Sequence, residues 1–141
     1  MRWLFDTSVL VPAFLDEHVH HEASLSLYLK ADKRHDCCAS HSLAEVYATL
    51  TRLPGKHRAT SEQALLILES MAERLTFIAL DAEEYWLLIA QAAESGIVGG
   101  MIYAALIARC GLKAKIETIY TWNLGHFLQL GSKVANLVRT P

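Results

Sequence analysis

The stretch Arg2–Leu15, "RWLFDTSVLVPAFL", decides the fold. Trp3–Phe5 is a short apolar run that reads as a strand. Asp6 ends it, and "TSVLVPAFL" (7–15) reads as a short helix, which tolerates Pro12 only because the proline falls near its first turns. A strand that hands over to a helix through an acidic residue opens an α/β arrangement. In open α/β sheets the reactive crevice lies beyond the carboxyl ends of the strands, so a polar residue where a strand stops is the first candidate for chemistry. Asp6 is such a residue. It also suits a helix N-cap, with Thr7 and Ser8 beginning the next turn.

The alternation continues along the chain. "HHEASLSLYLKADK" (20–33) carries Ala23, Leu27 and Lys30 or Ala31 at helical spacing, and "HDCCAS" (35–40) is a short strand. "SLAEVYATLTRLPG" (42–55) is a helix stopped by Pro54-Gly55, followed by a basic loop, "KHRA". "TSEQALLILESMAERL" (60–75) is an amphipathic helix in which Thr60 and Gln63 form a capping box. "LTFIAL" (75–80) is a strand, and the helix of 81–96 runs from an Asp81 cap to Gly96, its Trp86 and leucine stripe directed to the core. "GGMIYAALIARCG" (99–111) has one charge, Arg109, and apolar residues on every side, so protein should enclose it. "IETIYTWN" (116–123) and "VANLV" (134–138) are the last strands. The expected product is one α/β domain over residues 1–141, with a mainly parallel sheet covered on both faces.

Composition narrows the function. With 52% hydrophobic and 20% charged residues the chain can bury a substantial core. A net charge of −2 gives no global basic field, so any polyanion site must be local or carried by a metal. Three cysteines, two of them adjacent (Cys37 and Cys38), make neither a disulfide framework nor a zinc pattern, and read as buried side chains in a reducing cytosol. Asp6 interrupts the apolar start, so no signal peptide is expected, and the run Ile97–Ala108 is too short for the roughly 20 residues of a membrane span. A soluble, cytoplasmic protein with no membrane contact is the expectation.

Two further residues stand where Asp6 does or near it. Asn123, in "YTWNLGHF", follows a strand and also suits the cap of a short turn. Glu45, in "HSLAEVYATL", also completes an S-x-x-E capping box with Ser42. Taken in order, "FDTSVL", "SLAEVYATLTR", "GGMIYAALIA" and "TWNLGHF" resemble the PIN-domain ribonucleases, most closely the toxins of the prokaryotic VapBC toxin–antitoxin type. The resemblance covers essentially the whole chain. It implies a three-layer α/β/α fold, a pocket of three or four acidic residues binding Mg²⁺ or Mn²⁺, and metal-dependent endonucleolytic cleavage of RNA. It places metal ligands at Asp6 and Glu45, a supporting hydroxyl at Ser8, and the fourth motif at Thr121 and Asn123. The third acid belongs after "GGMIY", where this chain has Ala104, a departure that implies impaired cleavage. An introduced substitution and a natural loss both account for it. The resemblance further implies a cognate antitoxin and a homodimer as partners, with exposed apolar surface on the early helices available to receive them.

Other features have plain alternatives. His18, His20 and His21 read as a solvated helix start. Arg52, Lys56 and Arg58, with His57, are placed to guide an RNA backbone or simply to form a solvated loop. Lys30, Lys33, Arg34 and His35 form a weaker basic group. The alternative function is a non-catalytic PIN-like binding module that acts through partner or RNA contacts. An aspartate phosphotransferase of the haloacid-dehalogenase kind needs a second Asp two residues after the first, where this chain has Ser8, and a two-component receiver needs an acidic pair beside its first strand.

Overall fold

The computed structural model describes residues Met1–Pro141. Five strands, β1 (Trp3–Phe5), β2 (Asp36–Ala39), β3 (Thr76–Ile78), β4 (Thr118–Tyr120) and β5 (Val138–Arg139), form one sheet in the order β3-β2-β1-β4-β5. Every pairing is parallel, with Trp3 opposite Asp36 on one side and Thr118 on the other. Eight helices connect and cover the strands: α1 (Thr7–Ala13), α2 (His21–Tyr28), α3 (Ser40–Thr51), α4 (Ser61–Arg74), α5 (Ala82–Glu94), α6 (Met101–Lys113), α7 (Leu124–Leu128) and α8 (Ser132–Ala135).

Successive residues of a strand point to opposite faces, and the core divides accordingly. Leu4, Cys37, Ile119 and Val138 face α5–α8, packing with Leu88, Ile107, Phe127 and Val134. Phe5 and Cys38 face α1–α4, packing with Leu10, Tyr28, Val46, Leu50 and Met71. Cys37 and Cys38 thus lie in different layers, both buried and unbonded, and burial pushes the Cys37 thiol up to about 12. The expected α/β/α architecture is present.

The helix starts follow local chemistry. Thr60 with Gln63, and Asp81 with Glu84, close reciprocal capping boxes at α4 and α5. Helix α5 ends before Gly96, whose φ of +72° only glycine adopts without strain. Helix α6 is enclosed over most of its surface, with Ala104–Ala108, Cys110 and Gly111 buried, but Tyr103 stays half exposed. Gly111 lies so close to the sheet that a Cβ there would stand 3.1 Å from Ile116 Cγ1 and 3.4 Å from Leu4 Cδ1.

Several expectations are corrected. "VANLV" is not a strand: α8 takes its first half and pairing begins only at Val138. The short apolar run looks like a strand, but Ala135 and Asn136 donate to Gly131 and Ser132 in helical bonds. Helix α2 ends at Tyr28, and α7 forms after Asn123. Helix α3 begins at Ser40, two residues before Ser42, so the Ser42–Glu45 capping box does not form. Trp86 is 77% exposed, because Leu88 and Ala92 form the face of α5 that packs. The early helices bury most of their apolar residues; exposed apolar surface lies instead on α4 (Leu65, Leu66) and α5 (Trp86, Leu87, Ile89). No helix is long and apolar enough to cross a membrane.

Beside the amino end of β1 lies a group absent from the sequence-based expectations. Asp36 is fully buried and accepts from Arg2 Nε at 3.0 Å, Trp3 N at 3.2 Å and Asp32 N at 2.8 Å. Removing its carboxylate strands two backbone donors and the arginine at once. Asp36→Ala is expected to lower the free energy of unfolding by about 2–4 kcal/mol, mainly from the two backbone donors left unpaired, read from urea denaturation.

Candidate active site

The sheet order makes β1 a switch point: the chain leaves it toward β2 on one side and returns on the other as β4. The crevice outside their carboxyl ends is where α/β sheets bind ligands. Asp6 directly follows β1, and Thr121 directly follows β4. Both are buried.

Hydroxyls fix the Asp6 carboxylate. Ser8 Oγ donates to Asp6 Oδ2 at 2.6 Å and Thr121 Oγ1 donates to the same oxygen at 2.8 Å. Each hydroxyl in turn accepts a backbone N–H, from Trp122 at 2.9 Å and Asn123 at 2.9 Å respectively. Those amides orient both hydroxyl protons toward Asp6. Ser8 N also approaches Oδ2 at 3.4 Å, so Asp6 is the α1 N-cap as well as a member of this network. Oδ1 has no side-chain partner. Burial raises the Asp6 pKa, and the bonds from Ser8 and Thr121 oppose that rise.

Glu45, on the second turn of α3, comes from the other wall. Thr7 Oγ1 donates to Glu45 Oε1 at 2.9 Å and lies 3.0 Å from Ser42 Oγ. His41 Nε2 lies 3.6 Å from the same Glu45 oxygen, and the His41 ring stacks on Tyr103 with centroids 5.1 Å apart. Helix α6 brings Ala104 to the same place. Asp6, Ser8, Glu45, Ala104 and Asn123 line one cavity of about 560 Å³, a size common for ligand sites.

Five expected positions, from four separate segments, therefore line one cavity. Among the basic residues, Arg52 lines a neighbouring cavity that shares Glu45, Thr49 and Tyr103 with the first. Lys56 and Arg58 line neither, and Arg58 Nε is engaged by Leu53 O at 2.8 Å. The histidine run is not merely a solvated helix start: His18 and His20 line the main cavity, as does His126. His20 stacks on Trp122, with centroids 3.7 Å apart and planes at 7°. His41 was also missed, although its spacing of four from Glu45 on a helix was a usable signal.

No group of three His, Cys, Asp or Glu side chains converges to hold a metal. Two carboxylates face the cavity beside hydroxyl and amide oxygens. Mg²⁺ is commonly held by one or two carboxylates with water and substrate oxygens completing its shell, so this donor set suits such an ion at the low end of ligand number.

The sequence matches the PIN domain family over residues 3–127. It is 36% identical over 102 residues to Ribonuclease VapC40 of Mycobacterium tuberculosis, covering 72% of each chain. It is 33% identical over 113 residues to Ribonuclease VapC27 of the same organism, covering 79% of this chain and 78% of that one. Two solved structures share the fold: the VapBC2 complex of Rickettsia felis bound to a promoter DNA fragment (TM-score 0.65, 22% identity, 100% of this chain and 99% of that chain) and VapBC-1 of nontypeable Haemophilus influenzae (TM-score 0.64, 15% identity, 99% and 98%). The chain belongs to the PIN-domain family, and these relatives within it carry the VapC name.

The raised Asp6 pKa has a consequence for stability. A carboxyl that binds its proton more tightly when folded favours folding at low pH, and that contribution is lost as pH rises from its ordinary value of 3.8 through the raised one. Asp6→Asn keeps an acceptor for Ser8 and Thr121 and removes the buried charge. In chelator it is expected to raise the melting temperature at neutral pH, with the gain shrinking toward zero below pH 3.8. Thermal denaturation across that range measures it.

Proposed function

We propose that this chain is the toxin of a toxin–antitoxin pair, an endoribonuclease dependent on Mg²⁺ or Mn²⁺ whose cleavage is impaired by alanine at position 104. One observation carries the proposal: Asp6, Glu45 and Ala104, from three separate segments, meet in one cavity at the switch point of the sheet. Two relatives named ribonucleases support RNA as the substrate.

Asp6 and Glu45 would hold the ion, with Asn123 at the rim. When bound, it supplies water activation and charge neutralisation at the phosphodiester. The protein's own groups prepare the site. Ser8 and Thr121 hold Asp6 in one orientation and favour its ionised form in a dry setting. Thr7 holds Glu45 toward the cavity. Arg52, lining the cavity beside Glu45, would meet a phosphate flanking the cleaved one, and the exposed Lys56 and Arg58 would attract the backbone from farther out. Exposed Trp86, Leu87 and Ile89 offer apolar surface for a cognate antitoxin or a second copy of the chain. The two solved neighbours, named as VapBC assemblies, support the antitoxin.

Ala104 itself favours a second reading, a PIN-like module that binds RNA or a partner without cutting. Ala104→Asp separates the two. On the first reading the variant, given Mg²⁺ or Mn²⁺, cleaves RNA at discrete sites found by sequencing fragment ends. The gain is expected to exceed about 100-fold, the upper loss usual for a partner outside the metal's own ligands. In chelator the added carboxylate repels Asp6 and Glu45 and lowers the melting temperature, and Mn²⁺ restores it. A variant as inactive as the present chain, with no metal-dependent shift, removes position 104 from the ligand set and leaves the binding module.

A further inference from the structure

We propose that the stacked pair His20–Trp122 is a nucleobase platform, which seats an unpaired base of the RNA beside the phosphate to be cleaved. The proposal rests on the RNA reading above. Both rings line the cavity that contains Asp6 and Glu45. Trp122 is fixed at both ends: its indole Nε1 donates to the buried Ser24 Oγ at 2.9 Å, and its backbone N–H donates to Ser8 Oγ at 2.9 Å. Ser8 in turn bonds Asp6. The platform is therefore two hydrogen bonds from the carboxylate at the centre of the site, so a base on it has a defined position relative to a phosphate held there.

His20 differs from its neighbours in what holds it. His21 Nδ1 lies 2.8 Å from Pro12 O, and His18 Nδ1 accepts from His20 N at 3.0 Å. The ring nitrogens of His20 have no protein partner, and the ring lies parallel to the indole, with the His18 ring tilted at 37° and 5.6 Å from it. Flat rings in parallel contact extend by adding another flat ring, and the unused nitrogens are free to bond a base edge. Stacking of this kind tolerates any base but requires an open π face, which a base inside a duplex does not have. Access by an unpaired segment follows.

The test measures binding rather than cleavage. Fluorescein-labelled hexanucleotide RNAs are titrated with the unmodified chain, His20→Ala and His20→Phe, with Ca²⁺ as the divalent ion, and affinity is read by anisotropy. A series with one abasic site at each position, and a duplex of the same sequence, complete the set. His20→Ala is expected to weaken binding roughly 5- to 150-fold, the range for one stacked base. His20→Phe should recover most of that loss. One abasic position should weaken the unmodified chain by a similar factor, yet leave the affinity of His20→Ala unchanged, and the duplex should bind His20→Ala and the unmodified chain alike. A flat abasic series, or a His20→Phe variant as weak as His20→Ala, overturns the platform and leaves the RNA reading in place. Failure of the unmodified chain to bind any of these RNAs overturns both.

Discussion

The interaction on which the rest depends is the pair of hydrogen bonds that Ser8 and Thr121 make to one oxygen of Asp6. Burial alone would favour a neutral carboxyl, useless for holding a cation. Two hydroxyls, each oriented by a backbone N–H, oppose that tendency and direct the group. They come from opposite ends of the chain, one from the helix after β1 and one from the end of β4. Their meeting requires β1 and β4 to pair in register, Phe5 against Tyr120. The sheet is thus the device that assembles the site, and the site occupies the one place where the connections diverge.

Around that centre the chain balances stability against charge. Glu45 points at the same cavity, restrained by Thr7. Helix α6 presents Ala104 as the third wall, where a carboxylate would add repulsion in the absence of a cation and a ligand in its presence. Alanine relieves the first and forfeits the second. The exposed apolar residues of α4 and α5 lie apart from the cavity, so the surface proposed for partners and the cavity proposed for chemistry are separate.

Much of this was legible in the sequence because it is local. The strand–acid–helix grammar of residues 3–13, the caps at Thr60 and Asp81, and the all-round apolarity of α6 each follow from a few adjacent residues. What was not legible depends on contacts across the chain. Asp36 pairs with Arg2, 34 residues away, and nothing near it announces a buried charge. His20 meets Trp122 only because the loop after α1 folds over the end of β4. On α5, Tyr85–Ala90 is one continuous apolar run, so periodicity could not choose between Leu88 and Trp86 as the buried side. "SLAE" fitted a capping box by residue type, but a start at Ser40 turned Glu45 toward Thr7 instead.

The proposed chemistry requires one cation site at Asp6, Glu45 and position 104. Crystals of Ala104→Asp soaked in Mn²⁺ test it directly through anomalous scattering. The predicted result is a single strong peak within about 2.5 Å of carboxylate oxygens from Asp6, Glu45 and residue 104, a generous ligand distance for a divalent cation. A peak elsewhere, or none at this cavity while Mn²⁺ binds the surface, would contradict a cation site there.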